Sequence, residues 1–227
     1  MELHFDEELK ELKEKVLKNA ALAEEAIAKA VKSLVDRNTK LAEEVVKSDV
    51  PINMLEIEID QLCMKLLALH QPAAEDLRFI ASALRINTEL ERIGDEAVNI
   101  AERAVVLIKQ PLLKPLIDIP RMASVSQKML KDSIDAFINR NAGLARDVCK
   151  RDDEVDGLND QLFRELLTYM MQDAKNIERA VELILVARHL ERIADHTTNI
   201  GEDVVYIVEG KTIKHHIEEM EREGKNA

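Results

Sequence analysis

Two copies of one acidic pattern carry the residues best suited to chemistry in this sequence. Leu90–Asp95 and Leu190–Asp195 both read Leu-Glu-Arg-Ile-x-Asp, and each is followed four residues later by an asparagine, Asn99 or Asn199. Residues spaced by four lie on one face of a helix, so each copy places a glutamate, an aspartate and an asparagine side by side. Carboxylates spaced in this way repel each other unless something neutralises them. The pattern therefore indicates either a cation-binding face or a solvated acidic stripe.

Each acidic face is predicted to meet a second polar pair across a helical hairpin. The helix before each copy ends in a short turn, at Gln71-Pro72 in the first case and near Asp173-Ala174 in the second. Short turns make neighbouring helices antiparallel, and residues equally distant from the turn then lie level with each other. The predicted level pairs are Glu91 with Asn53, Asp95 with Asp49, Glu191 with Asp156, and Asp195 with Asp152.

Four oxygen-bearing side chains at one level of a hairpin predict a metal site in each copy. Repulsion between close carboxylates costs about 4 kcal/mol per pair at an effective dielectric constant of 20. Oxygen ligands favour Mg, Mn, Ca or Fe over structural Zn. Because Asn53 stands where the second copy has Asp156, we expect weaker binding or a different number of metal ions in the first copy. The candidate ligands are Asp49, Asn53, Glu91, Asp95 and Asn99 in the first copy and Asp152, Asp156, Glu191, Asp195 and Asn199 in the second.

Motifs for catalysis are missing from the sequence. It contains neither a glycine-rich phosphate loop nor a Gly-x-Ser-x-Gly nucleophile motif. A di-iron bundle would need Glu-x-x-His on two helices, and the sequence has no such pair. We therefore predict that the protein is not an enzyme. A metalloenzyme that uses the carboxylates and a purely structural helical scaffold are the alternatives.

The composition indicates long helices and restricts the class of partner. Aromatic residues make up only 3% of the 227 residues, so the core must consist of Leu, Ile, Val, Ala and Met. Together with abundant Glu, Lys and Arg, such a core is typical of helical proteins. The net charge of −12 argues against nucleic acid and against adhesion to an anionic membrane. It is compatible with bound cations or a basic protein partner.

Cysteine usage and hydropathy favour a cytoplasmic protein. Cys63 and Cys149 lie within apolar helical patterns and are too few for a disulfide framework, so we expect reduced thiols. The first ten residues are acidic and lack the apolar region of a signal peptide. No stretch approaches the roughly 18 apolar residues of a membrane-spanning helix, so we expect no direct membrane insertion.

The apolar periodicity predicts an all-α fold of two tandem, elongated three-helix bundles with up-down-up topology. The acidic pattern recurs at a constant offset of 100 residues, and Pro111, Pro115 and Pro120 mark the boundary between the copies. We assign 1–110 to the first bundle, 111–120 to a proline-rich linker, 121–210 to the second bundle and 211–227 to a polar tail. The predicted helices span 6–36, 40–69 with a kink at Pro51, 74–109, 121–139, 143–171 and 174–209.

Beyond these patterns, the chain resembles the PhoU family of phosphate-uptake regulators. The resemblance lies in Gln71-Pro72, in Asp76-Leu77-Arg78 and in the duplicated Leu-Glu-Arg-Ile-x-Asp pattern, and it extends over nearly the whole chain. It implies two repeated three-helix bundles and a cytoplasmic protein that restrains phosphate uptake and phosphate-starvation signalling. It also implies two partners, the ATPase of the ATP-binding-cassette phosphate transporter and a membrane sensor histidine kinase.

The same resemblance bears on individual residues. Some members of the family bind metal clusters through Glu/Asp-x-x-x-Asp motifs, which correspond here to the level pairs named above. Asp76 and Arg78 are candidates for partner binding, although an acid in a first helical turn also has a simple role in favouring the helix dipole. The second copy lacks this segment and has Asn176 in place of Asp76. Long bundles with apolar flanks often pair, so we expect a homodimer.

Overall fold

In a computed structural model of the protein, the structure describes residues 2–47, 49–72 and 74–213. Over these residues the fold is all-helical, without strands, as the periodicity predicts. The last fourteen positions of the predicted polar tail lie outside the described residues. The helices are α1 (Glu2–Val35), α2 (Thr39–Lys47), α3 (Asp49–His70), α4 (Ala74–Ile108), α5 (Asp118–Asn139), α6 (Ala142–Gln172) and α7 (Ile177–Glu209), with a 3₁₀ turn at Ala174–Asn176 before α7.

The second helix of the first repeat corresponds to the predicted helix over 40–69. It is described as α2 and α3, which together cover Thr39–His70 on either side of position 48, a position outside the described residues. Pro51 lies within the described range of α3.

The first helix of the second repeat begins earlier than the periodicity predicts. Helix α5 starts at Asp118 rather than Arg121, so Pro120 belongs to its first turn. The preceding connection is anchored by Lys114, whose buried ammonium group donates to Asp118 at 2.8 Å and also to Glu165. The linker is therefore held against the second repeat.

The two repeats pack against each other along their length. Helix α4 lies against α7, and α1 lies against α5. Phe79 of α4 stacks on Phe137 of α5 with ring centroids 4.7 Å apart, and both rings are buried. The remaining core is aliphatic and continuous between the repeats. At 1.5 Å per residue, the 35 residues of α4 give the body a length of roughly 50 Å.

Two glycines allow the hairpin helices to approach closely. A Cβ atom on Gly94 of α4 would lie 2.9 Å from Cδ1 of Ile52 on α3. A Cβ atom on Gly201 of α7 would lie 3.0 Å from Sγ of Cys149 and 3.1 Å from the carbonyl oxygen of Ala145, both on α6. Each glycine lies near an acidic pattern, so the same close approach brings the facing carboxylates together.

None of the described helices is both long and apolar enough to cross a membrane.

Candidate metal centres

The second acidic group lies between α6 and α7. Asp152 and Asp156 of α6 are close enough to Asp195 and Glu191 of α7 for their charges to interact. Burial, reinforced by the charges of Asp195 and Asp156, raises the pKa of Asp152 to about 7. The structure therefore brings together the four residues that the hairpin geometry places at one level.

Negative charge in the second group is poorly compensated. Oδ1 of Asp152 is buried and has no hydrogen-bond partner. Burial raises the pKa values of Asp156 and Glu191 as well, and Arg188, 3.9 Å from Glu191, offsets this only in part. The neighbouring Arg151 is engaged elsewhere, with Asp132 at 2.6 Å. The group has the negative charge that a cation would neutralise and the free oxygen atoms that would bind it.

The first acidic group lies between α3 and α4. Nδ2 of Asn53 donates to Oδ2 of Asp49 at 2.7 Å, while Oδ1 of each residue is buried without a hydrogen-bond partner. Burial, together with the charges of Asp95, Glu56 and Asp49, raises the pKa of Glu91. Three carboxylates and the amides of Asn53 and Asn99 were expected from the sequence.

Glu56 is a fourth carboxylate in the first group, and the hairpin reasoning missed it. Burial and the charges of Asp60 and Asp95 raise its pKa. Glu56 follows Asp49 by seven residues and therefore lies on the same face of α3, a spacing that could have identified it. The corresponding position of α6 is Asn159. The two groups thus differ in two positions, and the first does not lack a carboxylate overall.

The two asparagines of the repeated pattern point to a different neighbour. Nδ2 of Asn99 donates to Oε2 of Glu96 at 3.4 Å, and Nδ2 of Asn199 donates to Oε2 of Glu89 at 3.3 Å. Glu89 and Glu96 lie between α4 and α7. Asn199 therefore contacts the other repeat directly, whereas Asn99 contacts Glu96 of its own helix, which in turn pairs with α7.

A ladder of polar contacts joins α4 to α7, and sequence reasoning did not find it. Glu96 accepts from His189 at 2.6 Å and pairs with Arg192 at 2.8 Å, while Glu89 pairs with His196 at 2.7 Å. Burial would raise the pKa of Glu96, but the hydrogen bond from His189 and the charge of Arg192 outweigh it and lower the pKa. Arg192 thus pairs with Glu96, while Arg92 lies 3.5 Å from Glu89 and its charge only partly offsets the raised pKa of Glu91.

Comparison with known proteins identifies the fold. The family model described as the PhoU domain matches the chain twice, over residues 16–104 and 119–204. The chain belongs to the PhoU family.

Individual PhoU relatives are similar over almost their whole length. A phosphate-specific transport system accessory protein PhoU homolog of Aquifex aeolicus is 49% identical over 93% of this chain and 96% of its own. The homolog of Pseudomonas aeruginosa is 39% identical over 93% of this chain and 88% of its own. The crystal structure of PhoU from Pseudomonas aeruginosa matches with a TM-score of 0.88 at 39% identity, covering 91% of this chain and all of the other. PhoU from Streptococcus pneumoniae matches with a TM-score of 0.86 at 32% identity over 92% of this chain and 99% of its own.

The residues expected to bind a partner of this PhoU-family protein make contacts within the chain. Nε of Arg78 donates to the carbonyl oxygen of Ile207 at 3.2 Å. Asp76 lies 3.8 Å from Arg140, which also pairs with Glu75. These contacts join the start of α4 to α5 and α7.

The acidic groups fit an oxygen-preferring cation by chemistry, but their side chains are not gathered around one point. Among the described residues, no three His, Cys, Asp or Glu side chains are arranged to hold a metal ion. Binding would therefore require side-chain rotations in each group. Burial raises the pKa of Cys63 and of Cys149 to about 12, so neither supplies a thiolate. The available donors are carboxylate and amide oxygens, the ligands of hard cations.

Proposed function

We propose that this PhoU-family protein is an accessory regulator of phosphate transport. It restrains phosphate uptake and phosphate-starvation signalling as a non-catalytic adaptor between the phosphate transporter ATPase and a sensor histidine kinase. It acts in the cytoplasm and as a homodimer. The single observation that supports this role most directly is the match of both repeats to the PhoU domain, together with relatives named as phosphate-transport accessory proteins.

We further propose that both acidic groups bind metal ions. Asp152, Asp156, Glu191 and Asp195 would hold a cation in the second group, and the supporting observation is the buried, unpartnered Oδ1 of Asp152 among three other carboxylates. Asp49, Asn53, Glu91, Asp95 and Glu56 would hold one in the first. A bound Mg, Mn, Ca or Fe ion supplies positive charge there. The carboxylates then join α3 to α4, and α6 to α7, instead of repelling each other.

Elemental analysis after equilibrium dialysis tests the metal proposal. Wild-type protein should retain metal, and Asp152→Asn with Asp195→Asn should lose the ions of the second group while preserving side-chain shape. Asp147→Asn is the control, because Asp147 is an exposed acid on α6 outside the group. Equal metal content in all three proteins would contradict the assignment.

Binding measurements with purified partners test the adaptor role. Immobilised protein should bind the transporter ATPase or the cytoplasmic part of the kinase, with and without added metal. Binding to neither would refute the role. Turnover of a phosphate ester or a peroxide by metal-loaded protein, lost in the Asp152→Asn, Asp195→Asn variant, would instead favour the metalloenzyme alternative.

A further inference from the structure

Helix α3 carries an apolar stripe on its outer face. Val50, Met54, Ile57 and Met64 are 65%, 55%, 50% and 60% exposed, although all four are large hydrophobic residues. At 100° per residue they fall within an arc of about 80° along roughly 20 Å of helix. The positions that complete this arc, Gln61 and Ala68, are exposed too. A stripe of this length on a helix whose opposite face already forms the core is typical of an interaction surface.

An acidic row borders this stripe on one side. Asp49, Asn53, Glu56 and Asp60 follow one another at spacings of four, three and four, between the buried face of α3 and its apolar stripe. A partner that covers the stripe must therefore lie beside these carboxylates. On the other border Lys65 and Glu58 already have partners, Glu8 and Lys15, each at 2.6 Å. The charge next to the stripe is thus negative whenever the first acidic group holds no cation.

The second repeat shows that the fold itself does not require the stripe. When Asp49 is aligned with Asp152, the positions of Val50, Met54 and Ile57 are occupied in α6 by Asp153, Gly157 and Asp160. The equivalent outer face of α6 is therefore polar at these three positions, whereas the position of Met64 is occupied by Leu167, which is also exposed. Three of the four apolar side chains of the stripe have no apolar counterpart in the other repeat.

We propose that the apolar stripe of α3 and its acidic row form a docking surface for a helical segment of another protein, whose apolar face is bordered by lysine or arginine. Charge complementarity selects this occupant. A second copy of this chain would bring an identical acidic row and a net charge of −12, while the lysine of its own α3, Lys65, is already paired. This docking surface would serve the adaptor role proposed above. It rests on that role only because the role requires such a partner to exist.

A synthetic peptide provides the probe for this surface. We would use an 18-residue amphipathic helix with leucines in one stripe, lysines along its border and alanine elsewhere, and a scrambled peptide of the same composition. Fluorescence anisotropy at 0.15 M salt, with a chelator present so that no metal occupies the acidic row, should show binding of the amphipathic peptide and at least tenfold weaker binding of the scrambled one. Equal binding of the two peptides would mean that charge alone is recognised, which overturns the proposal.

Neutral substitutions locate the binding surface. Met54→Gln with Ile57→Gln removes apolar area without changing charge and should weaken binding of the amphipathic peptide at least tenfold. The matched control is Leu167→Gln with Met171→Gln, which changes two exposed apolar residues on α6 and should alter the affinity less than twofold. Glu56→Gln should weaken binding severalfold and reduce its dependence on salt. Unchanged affinity in the α3 variant would overturn the proposal.

Sedimentation of the same variants tests whether a second copy of this chain, and not a partner helix, covers the stripe. The α3 variant should keep the oligomeric state of the wild type. A wild-type dimer that becomes monomeric on Met54→Gln with Ile57→Gln would show that a second copy covers the stripe, and it would overturn the proposal. Peptide binding without binding to the ATPase or the kinase would refute the adaptor role and leave the docking surface standing.

Discussion

Asp152 illustrates how the fold changes the chemistry of a single residue. Its carboxyl group is partly buried beside Asp195 and Asp156, and its pKa rises to about 7. A carboxyl group with this pKa takes up a proton near neutral pH and is poised to exchange it for a cation. The sequence identifies Asp152 as a candidate ligand, whereas the size of its pKa shift depends on burial.

Replacing Asp152 by asparagine should stabilise the metal-free protein at alkaline pH. Because the pKa is raised in the folded state, the ionised carboxylate disfavours folding, fully above about pH 7 and not at all below its unfolded pKa near 4. We expect a gain of about 1 kcal/mol at pH 8 after allowance for solvent screening, which is about 2–4 °C in Tm.

Thermal unfolding in the presence of a chelator at pH 8 and pH 4 measures this effect. The exposed substitution Asp147→Asn serves as the control and should leave Tm unchanged within 1 °C, roughly the effect of a neutral surface change. An equal shift from Asp152→Asn at both pH values would contradict the assigned pKa.

At the scale of elements, close helix packing brings the carboxylates of each group together. Gly94 allows α3 to approach α4, and Gly201 allows α6 to approach α7. The two contacts differ in kind. A side chain at position 94 would meet the terminal methyl group of Ile52, which can rotate, whereas one at position 201 would meet the backbone oxygen of Ala145, which cannot move alone.

Three glycine-to-alanine substitutions should therefore have different effects on stability. We expect Gly201→Ala to destabilise the protein by about 1–3 kcal/mol through overpacking, and Gly94→Ala to destabilise it less. Gly157→Ala should stabilise by up to about 1 kcal/mol, because its Cβ atom would meet no neighbour and alanine favours a helix. Urea denaturation measures all three, and a neutral Gly201→Ala would show that α6 and α7 are not in tight contact.

At the scale of the whole molecule, α4 and α7 hold the two repeats together and also carry the two acidic patterns. The polar ladder between them includes Glu96, which is only 3% exposed and contacts both His189 and Arg192. A buried carboxylate satisfied by two partners contributes to stability mainly because leaving it unpaired is costly.

A double-mutant cycle between Glu96→Gln and His189→Ala should reveal coupling between the repeats. We expect an interaction free energy of about 1–3 kcal/mol, because the hydrogen bond joins a buried carboxylate to a partly buried imidazole from the other half of the chain. Urea denaturation of the wild type and the three variants gives this value. Additivity within about 0.3 kcal/mol would mean that the ladder does not hold the repeats together.

Metal binding should stabilise the whole protein. At a free metal concentration of about 100 times Kd, one site adds about 2.7 kcal/mol to the free energy of unfolding. We expect Mn²⁺ or Mg²⁺ to raise Tm by several degrees, and Asp152→Asn with Asp195→Asn to lose part of that increase. Differential scanning calorimetry measures the shifts, and the same increase in both proteins would locate the metal outside the second group.

Most of the fold could be predicted from local regularities in the sequence. Apolar periodicity depends on nearest neighbours along a helix, so it indicates helix positions well, and the 100-residue offset identifies the repeat. Antiparallel geometry then relates residues across a short turn, which is why Asp152 and Asp195 could be placed together. The start of α5 at Asp118 was not predicted, because a proline such as Pro120 is compatible with both a linker and the first turn of a helix.

Sequence by itself therefore determined the acidic pattern, its duplication and the hairpin partners of each copy, all of which follow from spacing along one or two helices. Only the tertiary structure decided how α4 meets α7, because the pairing of Glu96 with His189 joins residues 93 positions apart and no local period encodes it. It also decided that Glu56 joins the first group and that Asn199 donates to Glu89 of the other repeat. These outcomes depend on the rotation of each helix about its axis, which is set by the packing of the whole core.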